Sequence, residues 1–184
     1  VYEVQKKNDL AEKYFLKSLE DNLSLRSAWM IGQFYERQGN KEKALAVYQK
    51  LTDKISDSPY PQLAVQRVRN GGMKTDAAAL TVADGVSSAL YDVASVLYQE
   101  SSPRMAVLYV QLAYYLTPQD PFVNLLLGDI FATSMMRDSA IDYYMAVTKQ
   151  ADMAVLARMR LVSLCESSGQ IDRALNMLED LRTN

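Results

Sequence analysis

The sequence predicts an all-α protein that grows by stacking helical hairpins into a solenoid. Three observations carry this. Alanine recurs at a near-fixed interval: Ala106, Ala140 and Ala174 are 34 residues apart, and Ala11 and Ala44 are 33 apart. Each alanine opens an apolar stripe at three- and four-residue spacing, as in Ala44, Val47, Tyr48, Leu51, in Ala140, Tyr143, Tyr144, Val147, and in Ala174, Met177, Leu178, Leu181. That spacing is the mark of a helix with one buried face. Turn residues then separate the stripes in pairs: Gly39-Asn40 and Gly169-Gln170 interrupt the chain where two antiparallel helices must be joined.

Taken in order, residues 1–23 read as a partial first repeat. Tyr2 stands nine residues before Ala11, as Tyr35 stands nine before Ala44, so Val1 falls inside what reads as a helix and further sequence is expected upstream. Residues 25–54 form a full repeat, with Ala28, Ile31, Gly32 and Tyr35 on its first helix. Residues 55–84 break the pattern. From Ala44 to Ala106 is 62 residues, six fewer than two periods of 34, and Pro59, Pro61, Gly71 and Gly72 interrupt regular helices. This region is expected to hold a short helix near Gln62 to Arg69, then a loop through about Leu80. Thr81 to Asp84 reads as a capping box that starts a long helix running to Gln99.

Residues 85–118 are the next repeat, with Leu90, Val93, Ala94 and Leu97 on the first helix and Ser102-Pro103 as N-cap and first helical residue of the second. Residues 120–152 follow with Asp120-Pro121, Leu127, Gly128 and Phe131. The last repeat, 154–182, carries Leu161, Val162 and Cys165. In each hairpin a small residue on the first helix (Gly32, Ala94, Gly128) and one on the second (Ala44, Ala106, Ala140) allow the backbones to approach, while aromatics and leucines fill the space between.

The arrangement Ile31-Gly32…Tyr35…Gly39…Ala44…Tyr48, with Leu127-Gly128…Phe131…Ala140…Tyr144 and Ala106…Ala113…Pro118, resembles the tetratricopeptide repeat, a 34-residue helix–turn–helix unit. The resemblance covers residues 1–54 and 85–182 and implies a right-handed superhelix whose first helices line a concave groove. The stretch from the insert through "LYVQLAYYLTP" also resembles a group of exported bacterial tetratricopeptide proteins, which implies a periplasmic or envelope location.

Composition excludes several function classes. Net charge is −2 without clustered Lys or Arg, so nucleic acid is not an expected partner. No apolar run approaches the roughly 20 residues that cross a bilayer, so direct membrane insertion is not expected. Histidine is absent and Cys165 is the single cysteine, which removes His-based triads, His/Cys zinc sites and internal disulfides. Cys165 sits on a core stripe without a histidine to activate it, and is expected to be buried and inert. Glu20-Asp21 and Glu179-Asp180 are adjacent and point to different sides of a helix, and Asn70–Lys74 lacks the context of a phosphate loop. No catalytic, metal or cofactor residue is assigned, and the chain reads as a non-enzyme.

The resemblance places the binding residues beside the core stripe of each first helix. These are Arg26, Trp29, Gln33, Glu36 and Arg37; Tyr91, Asp92, Ser95 and Tyr98; Phe122, Leu125, Asp129 and Ala132; and Met159, Ser163 and Glu166. An aromatic and apolar groove edged with mixed charge suits a peptide or a partner's helix. The Lys and Asn with which some family members clamp a chaperone's terminal carboxylate are replaced here by Trp29, Gln33, Asp92, Phe122 and Leu126. A scaffold that binds protein is therefore expected. The alternative is an accessory assembly module of a larger enzyme or envelope-anchored complex encoded upstream. Exposed Ile171 and Leu175 at an uncapped end offer a route to self-association.

Overall fold

A computed structural model describes residues 2, 3, 5–21, 24–54, 59–71, 81–149, 153–172, 174–176 and 179. The described residues form helices α1 (Asn8–Asp21), α2 (Leu25–Arg37), α3 (Lys41–Lys54), α4 (Pro59–Arg69), α5 (Val82–Gln99), α6 (Pro103–Leu116), α7 (Pro121–Thr133), α8 (Arg137–Thr148) and α9 (Ala154–Ser167), without a strand. Residues 171, 172, 174–176 and 179 are also helical. The loop expected through Leu80, and Met177, Leu178 and Leu181 of the last stripe, lie outside the described residues. The chain divides into two units, Val1–Val82 and Ala83–Asn184, which are described separately.

One turn recurs throughout and explains the period. The N–H of Lys7, Asn40, Ser102, Met136 and Gln170 donates to the carbonyl five residues earlier, on Tyr2, Tyr35, Leu97, Phe131 and Cys165, at 2.8–2.9 Å. The residue before each donor is left-handed: Lys6, Gly39, Ser101, Met135 and Gly169 have φ of 57, 71, 60, 60 and 73°. This closure satisfies carbonyls that a helix end leaves open. Each left-handed residue lies five before one of the repeat alanines, so the alanine interval in the sequence is the interval between turns.

Only glycine enters this region without penalty, and Met135 and Ser101 occupy it without being glycine. Met135 is 74% exposed, so its side chain contributes little packing. Met135→Gly is therefore expected to raise stability by roughly 0.5–1 kcal/mol, read as a higher midpoint in urea; an unchanged or lower midpoint would contradict the turn assignment.

In the first unit, α2 and α3 pair, and α4 packs on α3. Ala28, Ile31, Phe34 and Tyr35 meet Ala44, Val47, Tyr48 and Leu51, and Tyr60, Ala64 and Val68 extend the buried set onto α4. Ser24 caps α2 in a reciprocal box with Ser27. The prolines do not act as expected from sequence. Pro59 and Pro61 stand in the first turn of α4, where a helix has no intrahelical use for the missing N–H, so the helix starts before Gln62. α4 then stops at Gly71, whose φ of 82° places it in the left-handed region, 32 residues after Gly39. In its packing on α3 and its left-handed ending, α4 corresponds to the first helix of a repeat.

In the second unit, Ala94 of α5, Ala106, Val110 and Ala113 of α6, and Val123, Leu126, Leu127 and Ile130 of α7 form one core, bordered by Leu90, Leu97, Phe131 and Tyr143. Ser87 reaches from α5 to donate to the Ala113 carbonyl at 3.1 Å. α7 is followed by α8 and α9, which bring Ala140, Tyr144, Val147, Ala157, Leu161 and Cys165 inside. Asp120 caps α7 by accepting from Phe122 and Val123. Ser102 holds the corresponding place on α6 but makes no side-chain cap bond. Its ψ of 59°, against 119° at Asp120, turns the hydroxyl away from the helix donors. Val93, expected in the core stripe, is instead 44% exposed.

Candidate binding site on the first helices

The small-to-large packing read from the sequence sets the geometry of the site. A Cβ on Gly32 would lie under 3.0 Å from the Tyr48 ring, and one on Gly128 would meet the Tyr144 ring equally closely. Each glycine therefore lets a second-helix tyrosine cross the first helix and deliver its hydroxyl to the far side.

A carboxylate waits there in both cases. Tyr48 Oη donates to Glu36 Oε1 at 2.6 Å, and Arg67 Nη2 of α4 meets the same oxygen at 2.6 Å. Tyr144 Oη donates to Asp129 Oδ1 at 2.7 Å, and Arg160 Nε of α9 lies 3.3 Å from that oxygen. The two arrangements are built alike: an acid on one first helix, a tyrosine from its hairpin partner and an arginine from the following first helix. They tie one hairpin to the next. Glu36 is four residues after Gly32, on the same helix face, whereas Asp129 directly follows Gly128 and is met by the tyrosine hydroxyl at the ring's far end. The α5–α6 hairpin has Ala94 and Val110 at these places and closes by apolar contact.

The surroundings set the protonation of these groups. Burial raises Asp129 above the usual carboxylate range, opposed by the Arg160 charge and the Tyr144 hydrogen bond. Arg160 is half exposed, so solvent screens much of its attraction, and burial prevails. Burial, reinforced by the Glu12 carboxylate that accepts its proton, pushes Tyr35 up to about 12. Burial pushes Tyr48 and Tyr144 higher still, with Tyr60 and Glu36 adding to the effect on Tyr48 and Asp129 to that on Tyr144.

A folded pKa above the unfolded value of about 10 means that these tyrosines support the fold fully below that pH, and that the support is lost as pH rises through their folded pKa. At about pH 11, tyrosinate absorbance should therefore account for fewer than the 12 tyrosines while the helical signal persists, with Tyr48 and Tyr144 ionising only on unfolding. Complete ionisation with an intact helical signal would contradict the buried arrangement.

The expected groove residues divide sharply by exposure. On α2, Trp29 and Gln33 are half-buried, Arg37 is held by a two-pronged pair to Glu3 at 2.7 and 2.9 Å, and Arg26 is buried. Glu36 has no exposed surface, so it is an interior tie and not a groove wall. In the second unit Tyr91 packs edge-on against Phe122, and Phe122 and Leu125 are themselves buried, because α7 is enclosed by its neighbours. These two residues support the surface from beneath. Asp92, Met159, Ser163 and Glu166 are exposed and Ser95 is half-buried.

Four of the expected residues converge. Tyr98, Asp129, Ala132 and Ser163, from α5, α7 and α9, line a cavity of about 450 Å³ together with Thr133, Tyr144, Arg160, Leu164 and Ser167. Tyr98 Oη donates to the Asp129 carbonyl at 3.3 Å, joining the first two of these helices. Sequence reasoning does not find Arg160, Tyr144 or Thr133. The available signal is a tyrosine four residues after the repeat alanine, opposite a glycine, with an acid beside it.

Consecutive helical hairpins closed by one recurring turn define an all-α helical-repeat protein. Residues 25–53, which include α2 and most of α3, match the family model of the tetratricopeptide repeat. The chain thus carries a tetratricopeptide repeat, a unit that generally mediates protein–protein interaction and typically belongs to non-catalytic scaffolds. No curated protein matches the chain at a significant level. Among the described residues no helix is long and apolar enough to cross a membrane.

Proposed function

We propose that the protein is a scaffold that binds a peptide or partner helix along the first helices, and that in the second unit the contact is centred on the cavity between α5, α7 and α9. The supporting observation is the convergence of Tyr98, Asp129 and Ser163 from three successive first helices around that cavity. Its lining combines the donors and acceptors a peptide needs with apolar walls. Asp129 accepts, Arg160 donates, the hydroxyls of Thr133, Ser163 and Ser167 do either, and Ala132, Leu164 and the Tyr98 ring supply apolar contact surface. Because the Asp129 cluster already ties α7, α8 and α9 together, the surface is formed before a ligand arrives and little ordering cost falls on the scaffold. In the first unit, Trp29 and Gln33 are the residues of α2 that a partner would touch.

Peptides of about 12 residues selected from a displayed random library on the intact chain provide a probe. Tyr98→Ala is expected to weaken the selected peptides about tenfold, roughly 1.4 kcal/mol, and Ser163→Arg to block the cavity, both with the helical signal retained. Affinity unchanged in both variants would contradict the reading.

A further inference from the structure

We propose that the outer face of α6 is a self-association surface that pairs, antiparallel and two-fold, with α6 of a second copy of the chain. Met105, Leu108, Leu112 and Tyr115 are 48, 54, 56 and 85% exposed. The other hairpins provide an internal control. Counted from the repeat alanine, these are the positions one before, two after, six after and nine after. The same four positions hold Lys43, Ala46, Lys50 and Asp53 around Ala44, and Ser139, Asp142, Ala146 and Lys149 around Ala140. Around Ala11 they hold Leu10, Lys13, Lys17 and Glu20. The repeat itself therefore does not require apolar residues there, and α6 alone among these helices replaces a polar face by an apolar one.

Three features select a second copy as the occupant. From Met105 to Leu116 the helix carries no charged residue, so two copies meet without opposing like charges. The spacing of three, four and three residues reads identically in both directions about Val110. An antiparallel copy thus sets Leu108 against Leu112 of the second copy and Met105 against its Tyr115, the self-complementary match that a two-fold interface demands. The four side chains present roughly 500 Å² of surface, the size of the largest patch on an ordinary monomer. Pairing two such faces buries up to about 1,000 Å², the size of a weak, readily reversible dimer.

Sedimentation of the intact chain over a concentration series up to about 0.5 mM tests this. The wild type is expected to form a reversible dimer, and Leu108→Lys or Leu112→Glu alone to weaken it at least tenfold with unchanged helical signal. The double variant Leu108→Lys/Leu112→Glu should recover association, because the antiparallel arrangement sets each lysine against a glutamate; a parallel pair would oppose like charges and fail to recover. Leu175→Lys, at an exposed apolar residue away from α6, and Val86→Lys, at one on the neighbouring α5, should leave the dimer intact. A wild type that stays monomeric throughout, dimerisation insensitive to both single substitutions, or a monomeric wild type that binds neutral phosphatidylcholine vesicles through Leu112 would overturn the proposal.

Discussion

Replacing Gly128 by leucine is expected to destabilise the second unit by roughly 3–5 kcal/mol. Any Cβ at this position would lie under 3.0 Å from the Tyr144 ring, so the ring must leave. It cannot leave cheaply, because Tyr144 is buried and its hydroxyl is bonded to Asp129. Overpacking of this kind costs about 1–3 kcal/mol, and stranding the partly buried Asp129 carboxylate adds about 1.5–3 more. The check is urea denaturation of Gly128→Leu beside Gly85→Leu, a helical glycine whose Cβ would meet no atom within 4 Å and which therefore has no steric reason to unfold the chain. Equal midpoints in the two variants would contradict the close crossing of α7 and α8.

The second large effect is expected at Arg67. Arg67→Met should cost about 3–5 kcal/mol, because it withdraws the guanidinium 2.6 Å from a Glu36 carboxylate that has no exposed surface. The pair as a whole is worth much less than its halves, since desolvation of both charges offsets most of their attraction. Glu36→Met/Arg67→Met is therefore expected to be more stable than Arg67→Met alone, with Tyr48→Phe added so that the tyrosine hydroxyl is not stranded in turn. A combined variant as unstable as the sum of its three single substitutions would show that these side chains act independently.

The parts of the fold legible from sequence are those fixed within one hairpin. Alanine spacing marks the helix pairs, and the turn geometry at Gly39 and Gly169 follows from glycine's access to positive φ. Met135 and Ser101 adopt the same turn without a glycine to announce it; the alanine five residues later is what marks them. The extent of α4 is lost when proline is read as a breaker regardless of position, whereas Pro59 and Pro61 fall in a first turn.

At the candidate site, legibility fails wherever the environment comes from the next hairpin. Glu36 reads as a polar residue beside a core stripe, and becomes interior only because Arg67 and Tyr48 reach it from two other helices. Phe122 and Leu125 do carry a sequence signal of their burial: "PFVNLLLGDIF" is apolar on nearly every side, the pattern of a helix enclosed by its neighbours. Tyr98, Asp129 and Ser163 share a cavity because the turn repeats at a fixed interval, which sets equivalent faces of α5, α7 and α9 side by side.

The proposed function requires that a partner be received on those faces. Its most direct test is backbone amide chemical-shift mapping of the intact, isotopically labelled chain titrated with a peptide selected from the displayed library. The largest shifts are expected at Tyr98, Thr133 and Ser163, spreading along α5, α7 and α9. Saturable binding whose shifts fall on α6 and α8, leaving those three residues unmoved, would contradict it.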